Sequence, residues 1–77
     1  MAIGFVLVKT APAAGREVYN MVKDMDNVIE VHSLFGEYDL IIKLQAKDFN
    51  TLGQTVVDDI RSIEGVEDTK TLTGIEF

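Results

Sequence analysis

The alternation of apolar and polar residues divides the chain into strand-like and helix-like segments. Residues 2–10 form a near-continuous apolar and β-branched run, which is typical of a central strand covered on both faces of its sheet. Two further runs, 28–32 and 38–44, flank a turn at Gly36, and a hairpin is predicted there because glycine adopts positive φ without a Cβ clash. We expect both hairpin strands to lie at the centre of the fold. The stretch 66–77 is predicted to form the last strand.

The segment between the first two strands has helical periodicity. Its apolar residues fall at i, i+3, i+4 and i+7, which places them on one face of an amphipathic helix: Val18, Met21, Val22 and Met25. We expect this face, including both methionines, to belong to the core. The turn-forming pair Asp26 and Asn27 is predicted to end the helix.

A second helix is predicted between the hairpin and the last strand. Its apolar stripe recurs at i, i+4, i+8 and i+11, with Phe49 and Val57 beside it, and consists of Leu52, Val56, Ile60 and Ile63. Asp48 precedes the stripe and is a good N-cap, because its carboxylate accepts hydrogen bonds from N–H groups of the first turn. Gly65 follows where a C-cap glycine is expected. Gly53 interrupts the helix and either weakens it or allows close packing on the sheet.

The resulting order β-α-β-β-α-β predicts an α+β fold, the ferredoxin-like sandwich. We expect a single domain over residues 1–77, with a four-stranded antiparallel sheet and both helices on one face. The strands are apolar on both faces, so the face without helices needs another cover. A second copy of the chain is the simplest cover, and a homo-oligomer is therefore expected.

The amino-acid composition argues against several classes of binding partner. Thirteen acidic residues against seven basic ones give a net charge of −6, which repels a phosphate backbone, so no direct binding of nucleic acid is expected. Cysteine is absent and no cluster of metal ligands is apparent, so neither a metal nor a cofactor is expected. The apolar run at the start of the chain is too short to span a bilayer and lacks the basic flank of a signal peptide. We therefore expect no membrane partner and a cytoplasmic location.

No catalytic or phosphate-binding motif occurs in the sequence, and no catalytic residue is predicted. His32 is the only histidine, and Glu30 or Glu37 would orient it as a general base, yet neither a nucleophile nor a metal accompanies it. Ser33 and Ser62 lack the partners of a catalytic triad. An enzyme that uses His32 stays open as an alternative.

Asp39 is more informative, because it follows the hairpin turn inside an otherwise apolar strand. An unpaired buried charge is costly, so this carboxylate must be solvated or have a partner. Two interpretations stay open. Asp39 caps the turn by accepting hydrogen bonds from backbone N–H groups, or it binds the ammonium group of a ligand.

The last strand carries a regular row of hydroxyl groups. Thr69, Thr71 and Thr73 alternate, so all three side chains project from one face of the strand. Such a row suits a surface that faces water, a partner chain or a ligand, although threonine is also favoured in strands for its β-propensity alone.

Two motifs give the chain a resemblance to a known family. The turn Gly36-Glu37-Tyr38-Asp39 leads into an apolar strand, and residues 63–71 follow the pattern Ile-x-Gly-Val-x-x-Thr-x-Thr. On the β-α-β-β-α-β frame, the two motifs resemble the C-terminal effector-binding domain of the Lrp/AsnC (feast/famine) transcription regulators. The resemblance covers the whole chain. It implies a stand-alone form of this domain, sometimes called a RAM domain, without the helix-turn-helix domain of full-length members.

The resemblance also implies a site and a set of partners. Family members bind a free amino acid between dimers, and the dimers assemble into rings that are often octamers. The implied effector-binding residues are Leu34, Gly36, Tyr38, Asp39, Thr69 and Thr71. Of these, Asp39 would bind the ammonium group, and the N–H groups around Gly36 would bind the carboxylate.

The function implied by the resemblance is an amino-acid-binding regulatory module. It would self-assemble and modulate full-length Lrp/AsnC regulators as further partners, without binding DNA itself. Two alternatives stay open beside it. One is a small dimeric α/β-barrel enzyme that uses His32, and the other is a ligand-free structural partner of full-length regulators.

Overall fold

The computed structural model describes residues 1–74, and the predicted continuation of the last strand over residues 75–77 lies outside this range. The elements follow the predicted order. They are β1 (Ala2–Thr10), α1 (Gly15–Val22), β2 (Val28–Ser33), β3 (Leu40–Ala46), α2 (Phe49–Thr55), which continues as a π-helical turn (Val56–Ile60), and β4 (Val66–Thr73). Neither α-helix of the described residues is long and apolar enough to cross a membrane.

The strands form one antiparallel sheet in the order β2-β3-β1-β4, which confirms the ferredoxin-like sandwich. β1 pairs with both β3 and β4 and is the central strand expected from its apolar run. The expectation that both hairpin strands are central was wrong, because β2 pairs only with β3 and lies at the edge of the sheet.

The core lies between one face of the sheet and the two helices. It consists of apolar side chains that alternate along β1 and β3 and pack against the helices, and its largest fully buried members are Leu40, Ile42, Leu44, Leu52, Ile60, Val6, Val8, Val18 and Val22. Gly4 lets α2 approach the sheet closely, because a Cβ at this position would lie 2.9 Å from Cδ2 of Leu52. Close packing of helix on sheet therefore depends on Gly4. Gly53, the other candidate for close packing, has open space around its Cα.

α1 is shorter than its sequence pattern suggests. Val18 and Val22 are buried, and Met25 packs against the core from the turn that follows the helix. The helix ends at Val22 rather than at residues 26–27. Met21 is 57% exposed, so its assignment to the core was wrong. With only two turns of helix, Val18 and Val22 at i and i+4 define the buried stripe, and Met21 lies outside it.

The apolar stripe of the second helical segment is confirmed, since Leu52, Val56, Ile60 and Ile63 are all buried, whereas Phe49 and Val57 are exposed. The N–H of Thr51 donates to Oδ1 of Asp48 at 2.7 Å, which confirms the N-cap and holds the pKa of that carboxyl below its usual value.

Gly65 has a role other than the predicted C-cap. The helical segment ends at Ile60, so Gly65 lies beyond the cap position, in the turn that enters β4. Its φ of 101° falls in the left-handed region, and its carbonyl accepts a hydrogen bond from the N–H of Ala11 at 2.8 Å. Gly65 therefore joins the turn before β4 to the turn before α1.

The opposite face of the sheet has no helix on it in the described part of the chain. Its apolar side chains define the open face, which consists of Ile3, Phe5 and Leu7 of β1, Ile41 of β3 and Leu72 of β4. Of these residues, Leu72 is exposed and the others are half-buried. β1 is therefore covered by its own helices on one face only.

Two glycine substitutions separate backbone strain from helix propensity. Gly65→Ala should lower the free energy of unfolding by about 1–2 kcal/mol or more, because φ is 101° and the new Cβ would lie 2.9 Å from Cβ of Ala14. Gly53→Ala should raise it by about 0.5–1 kcal/mol, because alanine favours the helix interior and nothing lies within 4 Å of the added Cβ. Urea denaturation at one fixed protein concentration measures both. Equal effects of the two substitutions would contradict this account of Gly65.

Candidate functional site

Backbone hydrogen bonds close the hairpin between β2 and β3 and join it to β1. The N–H of Leu34 donates to the carbonyl of Asp39 at 2.8 Å, and the N–H of Asp39 donates to the carbonyl of Val8 at 2.8 Å. Gly36 has a φ of 146°, a conformation that L-residues rarely adopt. Backbone hydrogen bonds and the conformation of Gly36 therefore define the tip of the hairpin. The side chain of Phe35 at this tip is fully exposed to solvent.

The carboxylate of Asp39 bridges the hairpin to the end of β1. Its Oδ2 accepts a hydrogen bond from the backbone N–H of Thr10 at 2.8 Å and a second one from the Thr10 hydroxyl at 3.2 Å. Thr10 is buried, so this contact is shielded from water on one side. Oδ2 thus accepts from a backbone N–H, but the donor belongs to the end of β1 and not to the hairpin turn that the capping interpretation expected. Oδ1 makes no hydrogen bond with any described residue.

A cleft of about 460 Å³ lies between α1 and the start of the hairpin. α1 contributes Arg16, Tyr19 and Asn20, which fall at i, i+3 and i+4 and so share one side of the helix. The hairpin contributes Leu34 and Asp39 to the opposite wall. The volume lies within the range of small-molecule sites, and the cleft combines apolar surface with both signs of charge.

The helix side of this cleft was missed in the sequence. Arg16 and Asn20 look like the solvated face of an amphipathic helix, and both are exposed. Their i, i+4 spacing, with Tyr19 between them, is the signal that could have grouped them. The sequence alone does not show that this side of α1 lies opposite the hairpin.

The six residues implied by the family resemblance fall into separate groups. Leu34 and Asp39 border the cleft, whereas Gly36 and Tyr38 belong to the hairpin outside its lining. Thr69 and Thr71 lie on β4, on the helix-facing side of the sheet, since they pair with the buried residues Val8 and Val6.

The threonines of β4 are separated from the hairpin by the central strand. Val8 pairs with Leu40 on one side and with Thr69 on the other. Because strands are spaced about 4.8 Å apart, Leu40 and Thr69 are about 10 Å apart across the sheet. Within one chain, the structure does not bring the hairpin and the threonines around one small ligand.

His32 belongs to a charged cluster on the same side of the sheet as the open face. Its Nε2 lies 3.2 Å from Oε1 of Glu30, and Nζ of Lys43 lies 3.6 Å from Oε2 of the same carboxylate. The hydrogen bond with His32 and the charge of Lys43 hold the pKa of Glu30 below its usual value. Among the described residues, no group of three or more metal-binding side chains accompanies the cluster. Its geometry is that of an exposed ion-pair network.

The family model of the Lrp/AsnC ligand binding domain matches residues 3–76 of the chain. The chain belongs to this family. A curated relative, an uncharacterized HTH-type transcriptional regulator of Pyrococcus horikoshii, is 37% identical over 71 residues, which cover 88% of this chain and 47% of the relative. This chain thus spans about half the length of the curated relatives it matches.

Solved structures support the same assignment of the fold. A crystal structure of a protein from Thermus thermophilus is 32% identical with a TM-score of 0.93, and the match covers 100% of this chain and 96% of that protein. A transcriptional regulator from Neisseria meningitidis, solved in complex with L-Met, is 25% identical with a TM-score of 0.86, and the match covers 97% of this chain and 50% of the regulator. The family model is that of a ligand binding domain, and the relative from Pyrococcus horikoshii is described as a transcriptional regulator.

The bond between Thr10 and Asp39 yields a test of how the Lrp/AsnC hairpin is held. Thr10→Val removes the hydroxyl donor to Oδ2 of Asp39 and keeps the backbone donor. We expect the free energy of unfolding to fall by about 0.5–1.5 kcal/mol, the usual net contribution of one such hydrogen bond.

Thr71→Val is the matched control, because Thr71 lies exposed on the same side of the sheet and its hydroxyl bonds to no described residue. Its effect should stay within about 0.5 kcal/mol. Urea denaturation measures both variants, and equal losses would mean that the hydroxyl of Thr10 does not stabilise the hairpin.

Proposed function

We propose that the chain is an amino-acid-binding module that self-assembles and modulates Lrp/AsnC-type transcription regulators without binding DNA itself. The observation that carries this proposal is the cleft beside the hairpin of a ligand-binding domain, where Asp39 presents a carboxylate oxygen without a described partner. The complex of the Neisseria meningitidis regulator with L-Met supports a free amino acid as the class of ligand.

The ammonium group of the amino acid binds to Oδ1 of Asp39. Thr10 donates two hydrogen bonds to Oδ2, which fixes the orientation of the carboxylate before a ligand arrives. A charge-assisted bond to a carboxylate that is already held in place costs little ordering entropy. Leu34 lies beside Asp39 in the cleft and provides an apolar contact for the ligand. Tyr38 lies outside the lining of the cleft and would therefore contribute to the site only through assembly.

Gly36, Thr69 and Thr71 contribute to the effector site through assembly. In one chain, β1 separates the threonines from the hairpin, so their hydroxyls contact a ligand only when a second copy presents them. The backbone at Gly36 is open, with nothing within 4 Å of a Cβ added there, and a neighbouring copy or a ligand can approach it closely.

Self-assembly involves two surfaces. The open face has no helix to cover it in the described residues, and a second copy covers it to form a dimer. At the tip of the hairpin, Phe35 is fully exposed, and an exposed aromatic side chain on a fixed turn is suited to anchor a contact between dimers. Rings such as octamers follow if this second contact closes.

We do not expect this chain to bind duplex DNA. The net charge of −6 repels the phosphate backbone, and the seven lysine and arginine residues are outnumbered by thirteen acidic ones. Modulation of a full-length regulator would therefore act through protein contacts or through competition for the effector in the cytoplasm.

Of the two alternatives, the enzyme has less support. His32 pairs with an exposed carboxylate, and the domain family is regulatory. The ligand-free structural partner is the second candidate, and it is favoured by the hydrogen bonds that already occupy one oxygen of Asp39. A thermal-shift screen against the twenty amino acids separates it from the main proposal, since a structural partner would be stabilised by none of them.

Asp39→Asn tests the ammonium contact. Asparagine retains an oxygen that accepts from the N–H of Thr10, so the fold should survive, but the charge is lost. Affinity for the amino acid that the screen identifies should fall by about ten- to a hundredfold, because one charge-assisted hydrogen bond contributes about 1.5–3 kcal/mol. Isothermal titration calorimetry measures the change.

Asp59→Asn is the matched control, because Asp59 is an exposed aspartate on the π-helical turn and its substitution changes the net charge equally. Its affinity should equal that of the wild type. If Asp39→Asn binds as tightly as the control, Asp39 is a capping residue only. The oligomer mass is measured on the same samples, so that loss of assembly is recognised separately.

Leu7→Lys tests the open face. Leu7 is half-buried on the central strand, where it pairs with Ile41 and Lys70 across the sheet. A lysine at this position would place a desolvated charge inside the dimer interface, and the expected result is a folded monomer. Light scattering at micromolar concentration gives the mass, and the wild type should exceed the monomer mass of 8.5 kDa.

Met21→Lys adds the same charge on the exposed side of α1, outside the open face, and should leave the mass unchanged. A wild-type protein that is monomeric at this concentration would contradict the proposal. So would a Leu7→Lys variant that keeps the wild-type mass.

A further inference from the structure

The wall of the cleft opposite Asp39 carries a cation that no part of the sequence pattern assigned. Arg16 lies in the first turn of α1 and lines the cleft together with Tyr19 and Asn20 of the same helix. The ion pairs of the described residues are those of Glu30 with His32 and with Lys43, so Arg16 is paired with no carboxylate there. Its guanidinium is the charged donor on the helix side of the cleft.

The cleft therefore presents opposite charges on its two walls, and these charges do not neutralise each other in an ion pair. A zwitterion has the complementary arrangement, with an ammonium and a carboxylate on one carbon atom. A planar guanidinium binds a carboxylate through two parallel hydrogen bonds, which adds directional selectivity to charge. Asn20, one turn along the helix, offers an amide beside the same position.

The backbone at the start of α1 adds to the positive character of this wall. The N-cap residue Ala14 has no side chain that bonds to the first turn, so the N–H groups there stay available. Gly15 borders the cleft, and the positive end of the helix dipole therefore lies beside Arg16. This contribution is secondary to that of the guanidinium.

We propose that Arg16 binds the α-carboxylate of the amino acid whose ammonium group Asp39 holds, and that it makes the site selective for molecules with a free carboxylate. This inference rests on the proposed function, namely that an amino acid binds in the cleft. It replaces the N–H groups around Gly36 as the partner of the carboxylate, since Gly36 is outside the lining of the cleft. Amines and amino-acid amides fill the same volume but leave Arg16 without its partner.

The test compares Arg16→Gln with Arg61→Gln. Both substitutions remove one positive charge from an exposed arginine, but Arg61 follows the π-helical turn and does not line the cleft. The probes are the twenty L-amino acids and, for each one that binds, its α-carboxamide, which keeps the ammonium and the side chain. Calorimetric titration gives both affinities for each protein.

The wild type and Arg61→Gln should bind the amino acid about ten- to a hundredfold more tightly than the carboxamide, the range of one charge-assisted contact. Arg16→Gln should lose most of this preference, through weaker binding of the amino acid and with little change for the carboxamide. Thermal unfolding without ligand should be the same for both variants, because both side chains are exposed.

Two results would overturn the inference in different ways. If an amino acid binds and Arg16→Gln keeps the full preference for it over the carboxamide, the carboxylate is bound elsewhere, and only the role of Arg16 is wrong. If none of the twenty amino acids binds to the wild type, the proposed function fails and the inference fails with it.

Discussion

The contact between Asp39 and Thr10 determines how the hairpin, the cleft and the sheet fit together. The carboxylate follows a turn of the edge hairpin, yet it bonds to the last residue of the central strand. Two donors on a buried residue hold its Oδ2 in place. Its other oxygen makes no hydrogen bond with a described residue, and in the proposed function the ammonium group of the ligand would offset the cost of the partly buried charge.

This arrangement joins two interpretations of Asp39 that the sequence left as alternatives. A capping carboxylate and a ligand-binding carboxylate are the same residue if each oxygen has its own partner. In the proposed function, the bond with Thr10 would also favour ligand binding, because an anchor that is already oriented loses little freedom on binding. The hairpin carries both Leu34 in the cleft and Phe35 at the exposed tip, so the proposed ligand and the proposed contact between copies share this element. A ligand bound in the cleft would contact the hairpin at Leu34, next to the tip that is offered to a neighbouring copy.

Much of the fold could be predicted because local patterns determine it. The apolar run 2–10 matches the bounds of β1, and the stripe from Leu52 to Ile63 is buried as expected. Met21 was wrongly assigned to the core because the sequence pattern extends the helix beyond Val22, where α1 ends. No residue near Val22 marks that end. The predicted apolar stripe extends to Ile63, so Gly65 was interpreted as a C-cap. In the structure the helical segment already ends at Ile60, with the π-helical turn.

The site was less predictable because it depends on tertiary placement. Asp39 and Leu34, which border the cleft, were assigned to a site through the family resemblance of the hairpin motif, which is local in sequence. Arg16 was not, since a charged residue on the outer side of a helix has the same pattern whether it faces water or a cleft. The threonines of β4 were grouped with the hairpin, but the strand order places β1 between them.

The central claim is that Asp39 uses one oxygen for the fold and the other for an amino acid. The most direct measurement is a crystal structure of the protein soaked with an amino acid that raises its melting temperature. The account predicts the ligand in the cleft between α1 and the hairpin, with its ammonium nitrogen about 3 Å from Oδ1 of Asp39 and both Thr10 bonds to Oδ2 intact. An amino acid bound elsewhere on the domain, with Asp39 bonded only to Thr10, would contradict it.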